Sequence, residues 1–255
     1  MTRDYVYDQG FAEERARISG MEALWDPGSR LLLDELGIGD GRKCLEVGAG
    51  GGSLVEWMAE RGASVTAVDI DTRFIESLAS DAIDVRRVDV RTDDLPQAEF
   101  DLVHARLVLE HLSDRTQILQ RLGGTLRPGG WIVIEDYDWS CFGFEGDDPE
   151  IARVSEAILG YMQQAGFERD YGRRVTAEIA DAGFVDVRGE GRVRIIDSTS
   201  PGFDFFRLSF ESLKGAVIDA GLLSAEEAEA ASARFGENMR VWTPLMMAGI
   251  GRRAE

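Results

Sequence analysis

Apolar and polar positions change rhythm along this chain. The first forty residues or so read as helix: Phe11 to Met21 is a charged run with apolar breaks, and Ser29 to Leu36 carries a leucine stripe. From Lys43 short apolar runs alternate with helical stripes. Cys44–Val47, Ser64–Ile70, Phe100–Ala105 and Trp131–Asp136 read as strands, and Ile83–Val90 contains another. Between them, Leu54, Val55, Met58 and Ala59 share a helix face. Thr72 is placed to cap a helix bearing Ile75, Leu78 and Ala79, and Asp114 one bearing Ile118, Leu119, Leu122 and Leu126. Pro128-Gly129-Gly130 predicts the turn into the Trp131 strand. Strands alternating with helices at this spacing imply βαβ units and a parallel sheet covered on both faces. Right-handed crossovers then set all the strand C-termini along one edge, where ligands bind.

The remainder follows a different pattern. Asp148-Pro149 opens a helix with Ile151, Val154, Ile158 and Met162 inward, and Gly172–Gly183 predicts another. Phe184–Asp197 reads as strand. Ser200-Pro201 opens a phenylalanine-rich helix, and Ser224 with Glu227 forms a capping box for the next. Thr243–Arg252 predicts a closing strand. A helical pair inserted between the last two strands is expected to cover a site.

Composition narrows the choice of ligand. The 28 basic and 47 acidic side chains leave a net charge of −19, the opposite of a surface built to displace counterions from nucleic acid. A small molecule is the expected partner, with the protein a monomer or homodimer. Hydrophobic residues at 44% and charged residues at 29% suit a globular core. No apolar run approaches membrane-span length, and the N-terminus has no apolar signal core, so a cytoplasmic location is expected. Two cysteines and two histidines without clustering predict no metal site.

The chemistry concentrates in Leu45–Gly52, LEVGAGGG, where a buried strand runs into Gly48, Gly50, Gly51 and Gly52 and then a helix. Glycines there allow positive φ and close approach of a ligand to the backbone, and the helix start offers free N–H groups. About twenty residues on, Asp69 ends the second strand, where a carboxylate can accept both ribose hydroxyls. The dinucleotide fingerprint wants a sixth-position glycine; counted from Gly48 that position is Ser53, which weighs against an NAD-type oxidoreductase. The Gly-Lys-Ser/Thr of a P-loop is missing.

The segment resembles motif I of class I methyltransferases that use S-adenosylmethionine (SAM), matched by Glu46, Gly48, Gly50 and Gly52. The likeness continues in order through Asp69 in VDID, Asp89 in VDVRTDDLP, FDLVHARLVLEHL and LRPGGWIVIED, together spanning Lys43–Asp136. This resemblance implies a Rossmann-like α/β fold with a mostly parallel seven-stranded sheet. An N-terminal helical segment or lid is expected over residues 1–42, a SAM-binding core over 43–197, a helical cap over 198–240 and a closing core strand over 241–255. It also implies cofactor contacts from Glu46 near the ammonium, from the Gly48, Ala49, Gly50 and Gly52 turn, from Asp69 with Ile70 at the ribose, and from Asp89 and the Val90 N–H at adenine. The Ala105 carbonyl should meet the ammonium. Arg106 faces the cofactor carboxylate or else makes a surface ion pair.

His111 is the candidate base, with packing against the sheet as the alternative; His104 reads as a satisfied core or edge group. Candidate substrate contacts are Tyr5, Tyr7, Trp25, Asp136, Tyr137, Phe206, Trp242 and Met246, with Asp138, Trp139, Phe203, Phe205 and Met247 beside them. The implied reaction moves a methyl group from SAM to oxygen, nitrogen or carbon of a small aromatic or apolar metabolite, in natural-product tailoring, releasing S-adenosylhomocysteine (SAH). A fold that binds SAM without methyl transfer, as in a cyclase, remains the rival.

Overall fold

The computed structural model describes residues 12–146, 148–235 and 237–255. Helix α1 (Glu14–Glu35) is continuous through Pro27 and joins the two stretches that the sequence divides. The alternating core follows: β1 (Lys43–Val47), α2 (Ser53–Glu60), β2 (Ser64–Asp69), β3 (Ile83–Arg87), β4 (Phe100–Arg106), α3 (Arg115–Thr125) and β5 (Leu126–Asp138). Then come β6 (Gly143–Phe144), α4 (Pro149–Gln164), α5 (Val175–Asp181), β7 (Val185–Arg192), β8 (Ile195–Asp197), α6 (Phe203–Asp219), α7 (Ala225–Phe235), β9 (Arg240–Trp242) and β10 (Leu245–Arg252).

Among the described residues seven strands form one sheet in the order β3-β2-β1-β4-β5-β10-β7. The first five strands are mutually parallel, and β10 runs antiparallel between β5 and β7. The reversal of direction on either side of β1 opens a crevice at the C-terminal ends of β1 and β4. Apolar runs such as Cys44, Leu45 and Val47 are buried because helices cover both faces of a parallel sheet.

Two predicted features change. The helix after Thr72 is reduced to a 3-10 turn, Glu76–Leu78, because Ile70, Asp71, Arg73 and Phe74 are used to line the crevice. The strand expected within Ile83–Val90 forms over Ile83–Arg87, leaving Val88–Val90 as loop at the same edge. The Pro128-Gly129-Gly130 turn is absorbed into β5. The Ser224–Glu227 capping box forms as read, with N–H donations of 2.8 and 3.1 Å exchanged between the two residues.

The cover over the crevice draws on more of the chain than the helical pair. α6 and α7 pack with α4, which comes from a separate insertion after β5, and α6 also packs along α1. Their shared core includes Trp25, Tyr137, Ile151, Met162, Phe206 and Phe210. A small sheet, β6-β9-β8, ties the two insertions together.

Candidate active site

The turn after β1 is shaped by glycine chemistry. Gly48 has φ +67° and Gly52 φ +87°, values that a side chain rarely adopts. A Cβ at Gly48 would also sit 2.4 Å from Val108 Cγ2. The turn is pinned from β2: Asp69 Oδ2 accepts the Gly50 N–H at 2.9 Å, and its Oδ1 accepts the Asp71 N–H at 3.0 Å. Burial pushes the Asp69 carboxyl above its ordinary range, and these N–H donors pull it partly back.

A continuous cavity runs from this turn across the ends of β2 and β4 to the helical cover. Of the cofactor candidates, Gly48, Gly50, Asp69, Ile70, Asp89, Val90 and Arg106 border it. Asp89 is gripped by Arg91, with contacts of 3.0 and 2.8 Å, and this guanidinium holds its carboxyl below the usual range. Its oxygens therefore already serve a cation. Ala49 and Glu46 border a separate small hollow with Glu22, Ser53 and Arg106. Gly52 serves the turn itself, donating its N–H to Ala49 at 2.9 Å. Ala105 is wholly buried between β1 and β5.

Two charged candidates have structural partners instead of open faces. The Glu46 carboxylate turns to His104 Nδ1, at 2.7 and 2.9 Å. The Arg106 guanidinium donates to Asp26 at 2.8 Å and to Ser29 at 2.9 Å, both on α1. Its Nε is buried with no hydrogen-bond partner among the described residues.

At the other end, Tyr137 and His111 border the cavity with Met21, Leu112, Trp139, Met162 and Phe205. His111 is buried and tilted against Phe167, ring centroids 5.2 Å apart. Burial, and then the charge of Arg17, push its imidazole down to about 3, so the ring is neutral at physiological pH.

Several expected substrate contacts lie elsewhere. Trp25 is 1% exposed and donates its indole N–H to the Tyr137 hydroxyl at 2.6 Å, so it braces the wall from behind. Asp136 is fully buried beneath that wall. Phe206 stacks on Phe142 inside the cover, and its neighbour Phe205 takes the cavity position. Trp242 is 46% exposed on the small sheet, opposite Ile195. Met246 is buried in β10 beside Tyr137 in register. Tyr5 and Tyr7 lie outside the described residues.

The expected N-terminal lid came without the residues that face the cavity. Glu14, Arg17, Ile18 and Met21 border it from one face of α1, and their i, i+3, i+4, i+7 spacing was the available signal. The sequence reading also missed Leu107, a non-glycine residue with φ +55° that turns the chain off β4 along the cavity, and Glu110 three residues beyond it.

Comparison with known proteins gives consistent relatives. A family profile described as a methyltransferase domain matches residues 17–179. Methyltransferase str2 of Strobilurus tenacellus is 33% identical over 163 residues, 60% of this chain and 58% of its own length. A ubiquinone biosynthesis O-methyltransferase of Paracidovorax citrulli is 33% identical over 110 residues, 40% of this chain and 46% of its own. The chain thus spans about half the length of these curated relatives. In fold it is similar to Haemonchus contortus phosphoethanolamine N-methyltransferase 2, solved with S-adenosyl-L-methionine. That likeness has a TM-score of 0.61 at 16% identity and covers 100% of this chain and 60% of that one.

Proposed function

Because the chain belongs to the SAM-dependent methyltransferase family, we propose that this cavity binds SAM at its glycine end and methylates a small aromatic or apolar molecule at its aromatic end. The observation that carries the reading is the single cavity itself. It joins the Gly48–Gly50 turn, Asp69 and the Val88–Val90 loop to an apolar chamber bounded by Met21, Tyr137, Trp139, Met162 and Phe205.

The residues present fit such a cofactor. The glycine turn keeps its Cβ positions empty so that a ligand can approach the backbone closely, and Asp69, which pins that turn, stands at the strand end where a ribose would lie. The orphaned, buried Arg106 Nε is a donor suited to a carboxylate. Asp89, both of whose oxygens are held by Arg91, borders the cavity with Val90 where the adenine of such a cofactor would lie. When bound, SAM supplies an electrophilic methyl group on a sulfonium.

The chain's own work is to bind, align and dry the site. Alignment and exclusion of water carry most of an in-line methyl displacement, since the thioether leaves without protonation. α1, α4 and α6 close the acceptor end, with Ile18, Met162 and Phe205 as its apolar cover. Tyr137, braced by Trp25, and Trp139, packed on it edge-to-face at 5.4 Å between ring centroids, give the acceptor an aromatic corner. His111, in its neutral form, borders that chamber.

Calorimetric titration with SAM and SAH tests the cofactor end. Asp69→Ala is expected to weaken both by about 1–3 kcal/mol through lost charged hydrogen bonds to ribose. Unchanged affinity removes the ribose assignment, and preference for NADH removes the reading. Incubation with a metabolite panel, with mass spectrometry for an added methyl group, tests the transfer. SAM binding without SAH release from any acceptor would favour a non-transferring relative of the fold.

A further inference from the structure

We propose that the acceptor is an amine, and that Glu110 holds its cationic nitrogen and takes up its proton. The inference rests on the methyl-transfer reading above and names the substrate class of the same chamber.

The charges bordering the acceptor end are unevenly matched. Arg17 is clasped by both carboxylate oxygens of Glu14, at 2.7 and 2.8 Å. Arg106 is paired with Asp26 at 2.8 Å. Glu110 differs. It is 2% exposed, and its Oε2 accepts the Tyr137 N–H at 2.9 Å. Its Oε1 accepts no hydrogen bond among the described residues and lies 3.6 Å from His111 Nε2, beyond bonding distance. A buried carboxyl group bordering a cavity without a cationic partner is costly unless a ligand supplies one.

Among the described residues, the groups around Glu110 do not supply it. Asp136, behind it on β5, is a second acid that offers no cation, and it faces the backbone N–H groups of Val108, Leu109 and Glu110. Arg115 on α3 helps only at a distance, because its guanidinium lies over the Tyr171 ring and donates to the Leu109 and Gly166 carbonyls. The Arg17 charge is spent on Glu14, and His111 is neutral. Tyr137 and Trp139 complete the wall with ring surfaces that favour a cation.

The same position suits the proton transfer that amine methylation needs. An ammonium ion has no lone pair, so it must lose a proton before it attacks. The N–H bond breaks as a Glu110 O–H bond forms. The freed pair then forms the N–C bond while the C–S bond breaks, its electrons going to sulfur, and the Glu110 proton passes to water after product leaves. Burial raises the Glu110 carboxyl well above the ordinary range, which makes it the stronger base, whereas His111 at about 3 holds a proton poorly.

Calorimetry with benzylamine, phenethylamine and 3-phenylpropylamine tests this, against the matching alcohols and carboxylates, with and without saturating SAH. At least one amine is expected to bind tenfold or more tightly than its alcohol and carboxylate counterparts. Glu110→Gln should abolish that preference with SAH affinity kept within twofold, and Glu110→Asp should retain part of it. Amines that bind no better than the alcohols overturn the proposal, as does a preference that survives Glu110→Gln. A Glu110→Gln protein weakened towards SAM but not SAH also overturns it, by assigning the carboxyl to the sulfonium. If Glu110→Gln does not fold, the wild-type series decides alone. Failure to bind SAH at all strikes the cofactor reading, while the amine series without SAH still decides this one.

Discussion

Replacing His104 with alanine should be among the most damaging single changes away from the cavity. His104 is fully buried at the middle of the sheet, between Glu46 on β1 and Glu135 on β5. Nδ1 lies 2.7 Å from Glu46 and Nε2 3.1 Å from Glu135, so the ring bridges two buried carboxyl groups. Glu135 also receives the Ser29 hydroxyl and Arg192, and Arg106 bridges Ser29 to Asp26. Asp26, Glu46 and Glu135 thereby share one buried hydrogen-bonded network with His104, Arg106 and Arg192. His104→Ala leaves two buried carboxylates facing one void. Removing one partner of a buried ion pair costs about 3–5 kcal/mol. Against a typical domain stability of about 5–15 kcal/mol, that is about a fifth of the total or more. Urea unfolding followed by circular dichroism at pH 7 measures it, an unchanged m-value confirming that folding stays two-state. Adding Glu46→Gln should recover at least about 1 kcal/mol, because one stranded charge is gone. A loss below about 1 kcal/mol for His104→Ala, or strict additivity of the pair, would refute the buried-network argument.

Two further outcomes follow from buried titratable groups. Burial pushes the Cys44 thiol up to about 12, while Cys141 is exposed, so a thiol reagent at pH 8 should modify Cys141 alone until denaturant releases Cys44. The Asp136 carboxyl, raised by burial in the folded state, keeps its proton where the unfolded chain releases it. Stability should therefore be full below the ordinary carboxylate range and fall as pH rises towards the raised value. Asp136→Asn should flatten that decline and lift the urea midpoint at pH 8, with little difference from wild type at pH 3; an equal decline in both proteins counts against it.

The alternating core and the glycine turn were legible because their signals are local. LEVGAGGG and Asp69 need only a strand, a tight turn and a fixed spacing, and the structure places Gly48, Gly50 and Asp69 on one cavity. The acceptor end was harder because it depends on the phase of a helix and on which face of a strand looks outward. Phe205 and Phe206 are neighbours about 100° apart on α6, and only the first turns to the cavity. Asp136 and Tyr137 are neighbours on β5, and strand alternation buries one while the other lines the wall. Trp242 has the size of a pocket residue, but its strand belongs to the small sheet, a pairing that hydrophobicity does not encode.

Glu46 shows how a correct motif can carry a second assignment. A carboxylate inside an apolar strand requires a partner, and sequence alone leaves open whether ligand or protein supplies it. The partner is His104, which is directly opposite Glu46 in the β1–β4 register although distant in the chain. Through Glu135, Ser29 and Arg106 the same network reaches α1, whose next turns towards the N-terminus form the roof over the cavity. Glu46 thus acts on the ligand site by fixing the roof and the orientation of Arg106, and its substitution should disturb binding through α1 even if its own oxygens never touch the cofactor.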